Sequence, residues 1–176
     1  DQFKNYHLMS NQIENEINTI VIKHILNSSG IERFPEMELD MVRLGIGLYG
    51  VSPVGQQNLL NVSSFKSNIS QIKLIDINDT VGYSRKGRVS RKSKIGILPV
   101  GYADGLNRLA GKGNWKIYIN GKLVAKIGNI KANESDEVII FGKHNTITEM
   151  ANRMNTIPYE ILTGISQRVK RIYFKD

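Results

Sequence analysis

The sequence predicts two folds in succession: the α/β class over residues 1–58, as a piece of a larger parallel fold, then a mostly antiparallel, all-β domain over residues 59–176. Three observations carry this. Apolar residues first recur at helical spacing and then gather in short β-branched runs as far as Gly50. A turn-rich Ser, Pro and Gly stretch follows at Ser52, Pro53 and Gly55. Beyond it the hydrophobic period changes to two.

Phe3, Tyr6, Met9, Ile13 and Ile17 form one face of an amphipathic helix over residues 1–17. Residues 19–22 are a β-branched run, expected as a buried strand of parallel type. The run ends in the polar turn of residues 23–30, and Pro35 stops any helix after Phe34. Residues 41–46 read as a second strand, closed by Gly47, Leu48, Tyr49 and Gly50. Helix, strand, short helix, strand is the rhythm of a β/α barrel or another parallel α/β fold. Two parallel strands bury too little apolar surface to be stable alone, so this piece is expected to be incomplete as a domain.

Residues 52–58 read as a linker. After it, Phe65, Ser67, Ile69 and Gln71 occupy one face of an alternating stretch running through Leu74. Residues 93–100 give another strand, with Ile95 and Ile97 on one side. Residues 115–127 read as a hairpin with Asn120-Gly121 at its tip, because Asn-Gly tolerates the positive φ angles of a type I′ turn. Residues 136–141 are one more strand. Thr146 and Glu149 make a capping-box pattern before a short helix over residues 150–154. A second short helix, over residues 156–162, has Pro158 near its start. Residues 166–174 read as a final strand.

The 176 residues are 40% hydrophobic and 23% charged, ordinary values for a globular protein. No apolar run approaches the ~20 residues of a membrane span. The opening at Asp1 has no signal-peptide pattern and reads as an internal start. The absence of cysteine excludes disulfides and Cys-ligated metals and fits a cytoplasmic location. The net charge of +8 includes a cluster of Arg85, Lys86, Arg88, Arg91, Lys92 and Lys94 around an expected hairpin, where basic residues commonly guard an exposed edge. Tyr83 is the one aromatic near it, so a stacking platform for nucleic acid is not expected. No pair of His or carboxylates has metal-ligand spacing, and no Gly-x-Gly-x-x-Gly, P-loop or nucleophile elbow is present. The expectation is therefore no metal, no nucleic acid and no membrane.

Chemistry concentrates in a few stretches. Residues 81–87 and 99–105 put Tyr83 and Tyr102, nineteen positions apart, in Gly-rich turns on what read as successive strands. Asn27 and Ser28 lie at the C-terminal end of an expected barrel strand, the end at which β/α barrels carry their active sites. A polar loop with free backbone N–H groups there suits a phosphate, and a plain helix N-cap is equally compatible with these residues. Arg43, among Val42, Leu44 and Ile46, is expected to be buried and to need a partner, with Asp40 the candidate. Asp104 is a candidate partner for Arg108 in a local surface ion pair.

Taken together, Asn27-Ser28 and residues 41–50, 99–105, 158–162 and 166–173 resemble the C-terminal half of the alanine racemase family, over about residues 19–173. Racemase domains fused behind a cell-wall peptide ligase are similar in flavour. The resemblance implies the end of a TIM-type barrel followed by a β domain, pyridoxal 5′-phosphate (PLP) as cofactor, and a homodimer whose active site is shared between subunits. L- and D-alanine would be its substrates and peptidoglycan the destination of the product. It implies that Tyr83 is one of two catalytic bases, acting on L-alanine, while a PLP-bearing lysine acts on D-alanine. A free tyrosine has a pKa of ~10, so such a base needs a positive neighbour. Arg43 would face the pyridine nitrogen and leave it unprotonated, since arginine does not give up its proton. Asn27, Ser28, Gly45, Ile46 and Tyr159 would lie around the phosphate, and Tyr102 and Arg108 along the substrate channel.

The sequence departs from that family in two places. The segment with the PLP lysine is not among these residues, and Lys23 does not lie in its motif, so the chain is expected to be inactive alone. Gly128-Asn129-Ile130 runs straight into Lys131, where the family continues with a Cys-Met-Asp segment, and Asn129 replaces a usual arginine. A rival reading is a catalytically silent β module used in assembly, its basic hairpin binding an acidic partner.

Overall fold

The computed structural model describes residues 1–55, 59–124 and 130–175. The chain forms two compact units, Asp1–Ser63 and Ser64–Asp176. None of the described helices is long and apolar enough to cross a membrane.

In the first unit, helix α1 (Gln2–Ile17) ends at Asn18 in the left-handed conformation, φ 51°, which asparagine tolerates. The Glu14 carboxylate then holds the returning chain: it accepts from the Val21 N–H at 3.1 Å and pairs with Lys23 Nζ at 2.6 Å. Lys23 Nζ also donates to Asn11 Oδ1 at 2.8 Å, and the His24 N–H donates to the Tyr6 hydroxyl at 2.9 Å. Of the expected apolar face, Phe3 and Tyr6 are half-buried, whereas Met9, Ile13 and Ile17 are exposed.

The strands expected at residues 19–22 and 41–46 do not form. It is residues 23–27, beyond the first expected strand, that meet residues 41–43, in a single parallel bridge, Asn27 to Arg43, beside N–H bonds from Met41 to the Lys23 carbonyl (3.3 Å) and from Arg43 to the Leu26 carbonyl (2.9 Å). Ile20 is 93% exposed, so the β-branched run is not buried either. A parallel ladder is sustained by strands on both sides and helices on both faces; among the described residues of this unit, residues 23–27 and 41–43 have only each other. Helix α2 (Ser28–Arg33) follows, with Asn27 as its N-cap accepting from the Gly30 N–H at 3.0 Å.

The second unit contains β1 (Phe65–Asn68), β2 (Gln71–Ile75), β3 (Thr80–Val81), β4 (Gly87–Arg88) and β5 (Ser93–Ile97). It continues with β6 (Ile117–Ile119), β7 (Lys122–Val124), β8 (Glu137–Phe141), α3 (Ile147–Arg153) and α4 (Pro158–Gly164). The sheet order is β1-β8-β6-β7, all antiparallel, with β2-β5 and β3-β4 as separate ribbons. The alternating stretch over residues 65–74 is thus divided between two sheets. The switch falls at Ile69 and Ser70, whose N–H groups point to different partners, the Asp136 and Ile97 carbonyls.

Asn120 (φ 45°) and Gly121 (φ 80°) both adopt the left-handed conformation between β6 and β7, as a type I′ turn requires. A Cβ on Gly121 would meet nothing within 4 Å, so Gly121→Ala should cost backbone strain alone, about 1 kcal/mol of stability. Chemical denaturation of the variant measures this. The part of the expected hairpin beyond Val124 and the departure at Gly128 and Asn129 lie outside the described residues. So does the end of the expected linker, residues 56–58.

Ile69, Ile119, Ala132 and Val138 form one buried cluster. Phe65 meets Phe141 at 5.8 Å between ring centres, and Ile140, Met150, Ala151 and Met154 are also buried. Buried donors are bonded here: Trp115 Nε1 donates to the Ile140 carbonyl at 2.7 Å, and Asn145 Nδ2 faces the carbonyls of Lys116, Ile139 and Ile140, while Asn145 Oδ1 has no partner among the described residues. Helix α3 begins at Ile147, earlier than expected. Both bonds of the capping box form, Glu149 N–H to Thr146 Oγ1 and Thr146 N–H to Glu149 Oε2. Residues 166–174 form no strand. The Arg171 guanidinium donates to two of their carbonyls, Ser166 and Val169, and to that of Ile165 before them, and Tyr173 and Phe174 are exposed.

Candidate functional site

In the first unit the chain brings Asn27, Ser28, Arg43, Gly45 and Ile46 together through backbone bonds. Ser28 is 2% exposed, and its Oγ accepts from the N–H groups of Gly45 (2.9 Å) and Gly47 (3.3 Å). The hydroxyl proton is left to donate. The N–H of buried Ile46 has no partner among the described residues. A Cβ on Gly47 would stand in ordinary contact with Ser28 Oγ at 3.7 Å and 2.7 Å from Leu44 Cδ1, the end of a flexible side chain. One hydroxyl and one N–H can receive an anionic oxygen. Asn27 serves as the helix cap, and the serine beside it holds the turn.

Arg43 is exposed, contrary to the sequence expectation, and donates from Nη2 to the Ile25 carbonyl at 3.0 Å. Asp40 is not its partner; that carboxylate accepts the Lys23 N–H at 2.9 Å. A solvated guanidinium needs no buried counter-ion, and a carbonyl is enough to orient it. Lys23 is committed to Glu14, and that bond, with the Val21 N–H second, holds the Glu14 carboxyl below its ordinary pKa. His24 went unnoticed in the sequence. Its Nδ1 is buried without a partner, which only coordinates reveal.

In the second unit Tyr83 lies in the tight turn of residues 83–85 between β3 and β4, a Gly-rich turn as the sequence implied. Ser84 (φ 56°) and Arg85 (φ 55°) are both left-handed, an unfavourable conformation that turns the chain sharply here. Arg85 Nε donates to Thr80 Oγ1 at 3.1 Å across the base of the turn. Tyr83 is 88% exposed and has no hydrogen bond to the described residues of its own chain. Of the basic cluster, Arg85, Lys86, Arg88, Arg91 and Lys92 are exposed, while Lys94 is half-buried and donates to the Ala132 carbonyl at 3.1 Å.

Tyr102 lies in a similar turn, residues 102–104, and lines a cavity of about 150 Å³. Gly105 and Asn107 share its wall, and Thr156, Glu160, Ile161 and Gly164 line it as well. The Thr156 hydroxyl bonds to the Glu160 carboxylate. Tyr159 is on α4 beside Glu160, exposed. Arg108 is exposed and its side chain has no partner among the described residues. The Asp104 pairing expected from sequence is corrected: its Oδ1 meets Arg168 Nε at 2.6 Å. Asp104 is buried and its other oxygen accepts the Gly101 N–H at 2.8 Å, whereas Arg108 points to solvent from the next turn. A partner 64 residues away leaves no local signal in the sequence.

Two carboxylates in this unit are held below their usual pKa. For Asp104 the main cause is the Arg168 bond, then the Gly101 N–H; for Asp136 it is the Asn133 N–H, then the Asn120 amide. A depressed pKa in the folded state adds stability above the unfolded value of ~3.9 and loses it as pH falls through the folded value. Stability should therefore drop in acid, and Asp104→Asn should reduce that slope. Denaturant melts taken across the acid range measure it.

Residues 62–173 match the family described as alanine racemase, C-terminal domain, and residues 1–53 match alanine racemase, N-terminal domain. The chain belongs to the alanine racemase family. Alanine racemase 2 of Caldanaerobacter subterraneus subsp. tengcongensis is 38% identical over 194 positions, covering 98% of this chain and 50% of that protein. That alignment is longer than the chain, so the relative carries residues with no counterpart here. Alanine racemase of Clostridium difficile 630 in complex with cycloserine superposes with a TM-score of 0.83 at 33% identity, over 96% of this chain and 49% of that one. Alanine racemase of Bartonella henselae with covalently bound pyridoxal phosphate gives 0.79 at 30% identity, over 89% and 48%. The chain spans about half the length of the curated relatives it matches. Its fold class is that expected from the sequence, the later part of a β/α barrel followed by a mostly antiparallel β domain.

Proposed function

We propose that these residues are the C-terminal half of a PLP-dependent alanine racemase. It interconverts L- and D-alanine in the cytoplasm and supplies D-alanine for peptidoglycan. It works as a homodimer in which each active site draws on both subunits. Residues 1–58 are the end of its barrel and residues 59–176 its β domain. The observation that carries this is the Ser28 turn. Its free hydroxyl proton and the Ile46 N–H, unpartnered among the described residues, fit a phosphate ester.

PLP, when bound, withdraws electrons from Cα of an amino acid and makes its α-proton removable. Ser28, Gly45 and Ile46 would hold the phosphate, with Asn27 and Tyr159 beside it. Arg43 would lie toward the pyridine nitrogen and, since arginine keeps its own proton, would donate to that nitrogen rather than protonate it. The Tyr83 oxygen would remove or return the α-proton on one face. Tyr102 and Arg108 line the path taken by the substrate. Inversion needs a second base on the opposite face. That base is a lysine outside these residues, so the 176 residues alone are inactive. The full-length protein should show the visible absorbance of bound PLP and form D-alanine from L-alanine, and residues 1–176 alone should do neither. A full-length protein that binds PLP but leaves both enantiomers unchanged would overturn the reading.

A further inference from the structure

The Tyr102 turn is tied to the end of α4 at three points. Arg168 Nε donates to Asp104 Oδ1 at 2.6 Å, and the Ser166 N–H donates to the Asp104 carbonyl at 3.3 Å. Gly105, at φ 101°, lies so close to Gly164 that a Cβ would fall 2.5 Å from the Gly164 oxygen. Asp104 also accepts the Gly101 N–H, so one side chain closes the Tyr102 turn and anchors it. The cavity of about 150 Å³ is bounded by this turn and by α4.

We propose that Arg168 is a positioning residue. By gripping Asp104 it sets how far Tyr102 stands from α4, and so the width of the cavity through which a small amino acid is admitted. The admission role rests on the racemase reading; the positioning does not. Arg168 does not line the cavity, and it lies apart from the buried cluster of Ile69, Ile119, Ala132 and Val138. Its partner's side chain is 11% exposed while its own is 62% exposed. Without the guanidinium, Asp104 Oδ1 loses its side-chain partner, and water is left to replace it. The turn then relaxes outward while the core is untouched. Lysine would keep the charge but not a donor at the Nε position, so it should replace arginine only in part.

The test uses the full-length protein carrying 3-fluorotyrosine, with the Tyr102 resonance assigned through Tyr102→Phe. Arg168→Met should shift or broaden the Tyr102 signal. It should leave the signal of Tyr118, which stacks on His144 at 4.3 Å, in place. It should raise KM for alanine about tenfold with little change in kcat, and Arg168→Lys should fall between the two. An unmoved Tyr102 signal, or a loss of activity that only follows the folded fraction, overturns the proposal. If the unmutated protein makes no D-alanine, the racemase reading fails and takes the admission role with it. The fluorine signal still decides whether Arg168 positions Tyr102.

Discussion

Tyr83→Phe in the full-length protein should slow conversion of L-alanine to D-alanine by about 10²–10⁴-fold, the usual worth of a positioned proton-transfer group. PLP should remain bound, and the melting temperature should not change. The substitution removes one oxygen from a ring that is 88% exposed and has no hydrogen bond within the described chain, so no folding interaction goes with it. A sharper result separates the two faces. In deuterated water the variant should still exchange the α-proton of D-alanine, through the opposite base, while L-alanine keeps its own. Mass spectrometry of the recovered enantiomers reads this directly. Normal turnover would remove Tyr83 from the mechanism.

Ser28→Ala should weaken PLP binding by roughly ten- to a hundredfold, because it strips the phosphate turn of its one hydroxyl and unpairs two backbone donors. In a site where the serine is 2% exposed, an orphaned N–H costs ~1–3 kcal/mol. Ser28→Thr keeps the oxygen and should restore part of the affinity. Titration of the apo-protein with PLP, followed by absorbance, gives the constants. Equal affinity in all three proteins would mean that the phosphate lies elsewhere.

Signals legible in the sequence were those carried by bonds between near neighbours. Asn120-Gly121 needs only its own φ angles, and Thr146 and Glu149 bond across a single helical turn. Asn27 and Ser28 were legible as a polar cap or an anion site. The cap is on Asn27, while Ser28 Oγ accepts the Gly45 and Gly47 N–H groups, and only the fold could divide them. What failed were readings that needed distant partners. The β-branched run at residues 19–22 has strand composition, but a strand is defined by its neighbours, and Ile20 has none. Residues 166–174 read as a strand, yet no strand forms there, and the Arg171 guanidinium bonds the Ser166 and Val169 carbonyls. Asp104 found Arg168 rather than the arginine four residues away, because the fold brings the chain after α4 against the Tyr102 turn.

The shared active site is tested most directly by mixing two crippled proteins. A full-length chain with Tyr83→Phe and another with a disabled Ser28 turn are each made, unfolded together and refolded. If the tyrosine of one subunit serves the barrel of the other, a mixed dimer contains one intact site, and random pairing restores roughly a quarter of normal activity. If each chain builds its site from its own Tyr83 and Ser28, no pairing yields an intact site, and the mixture stays as inactive as its parts.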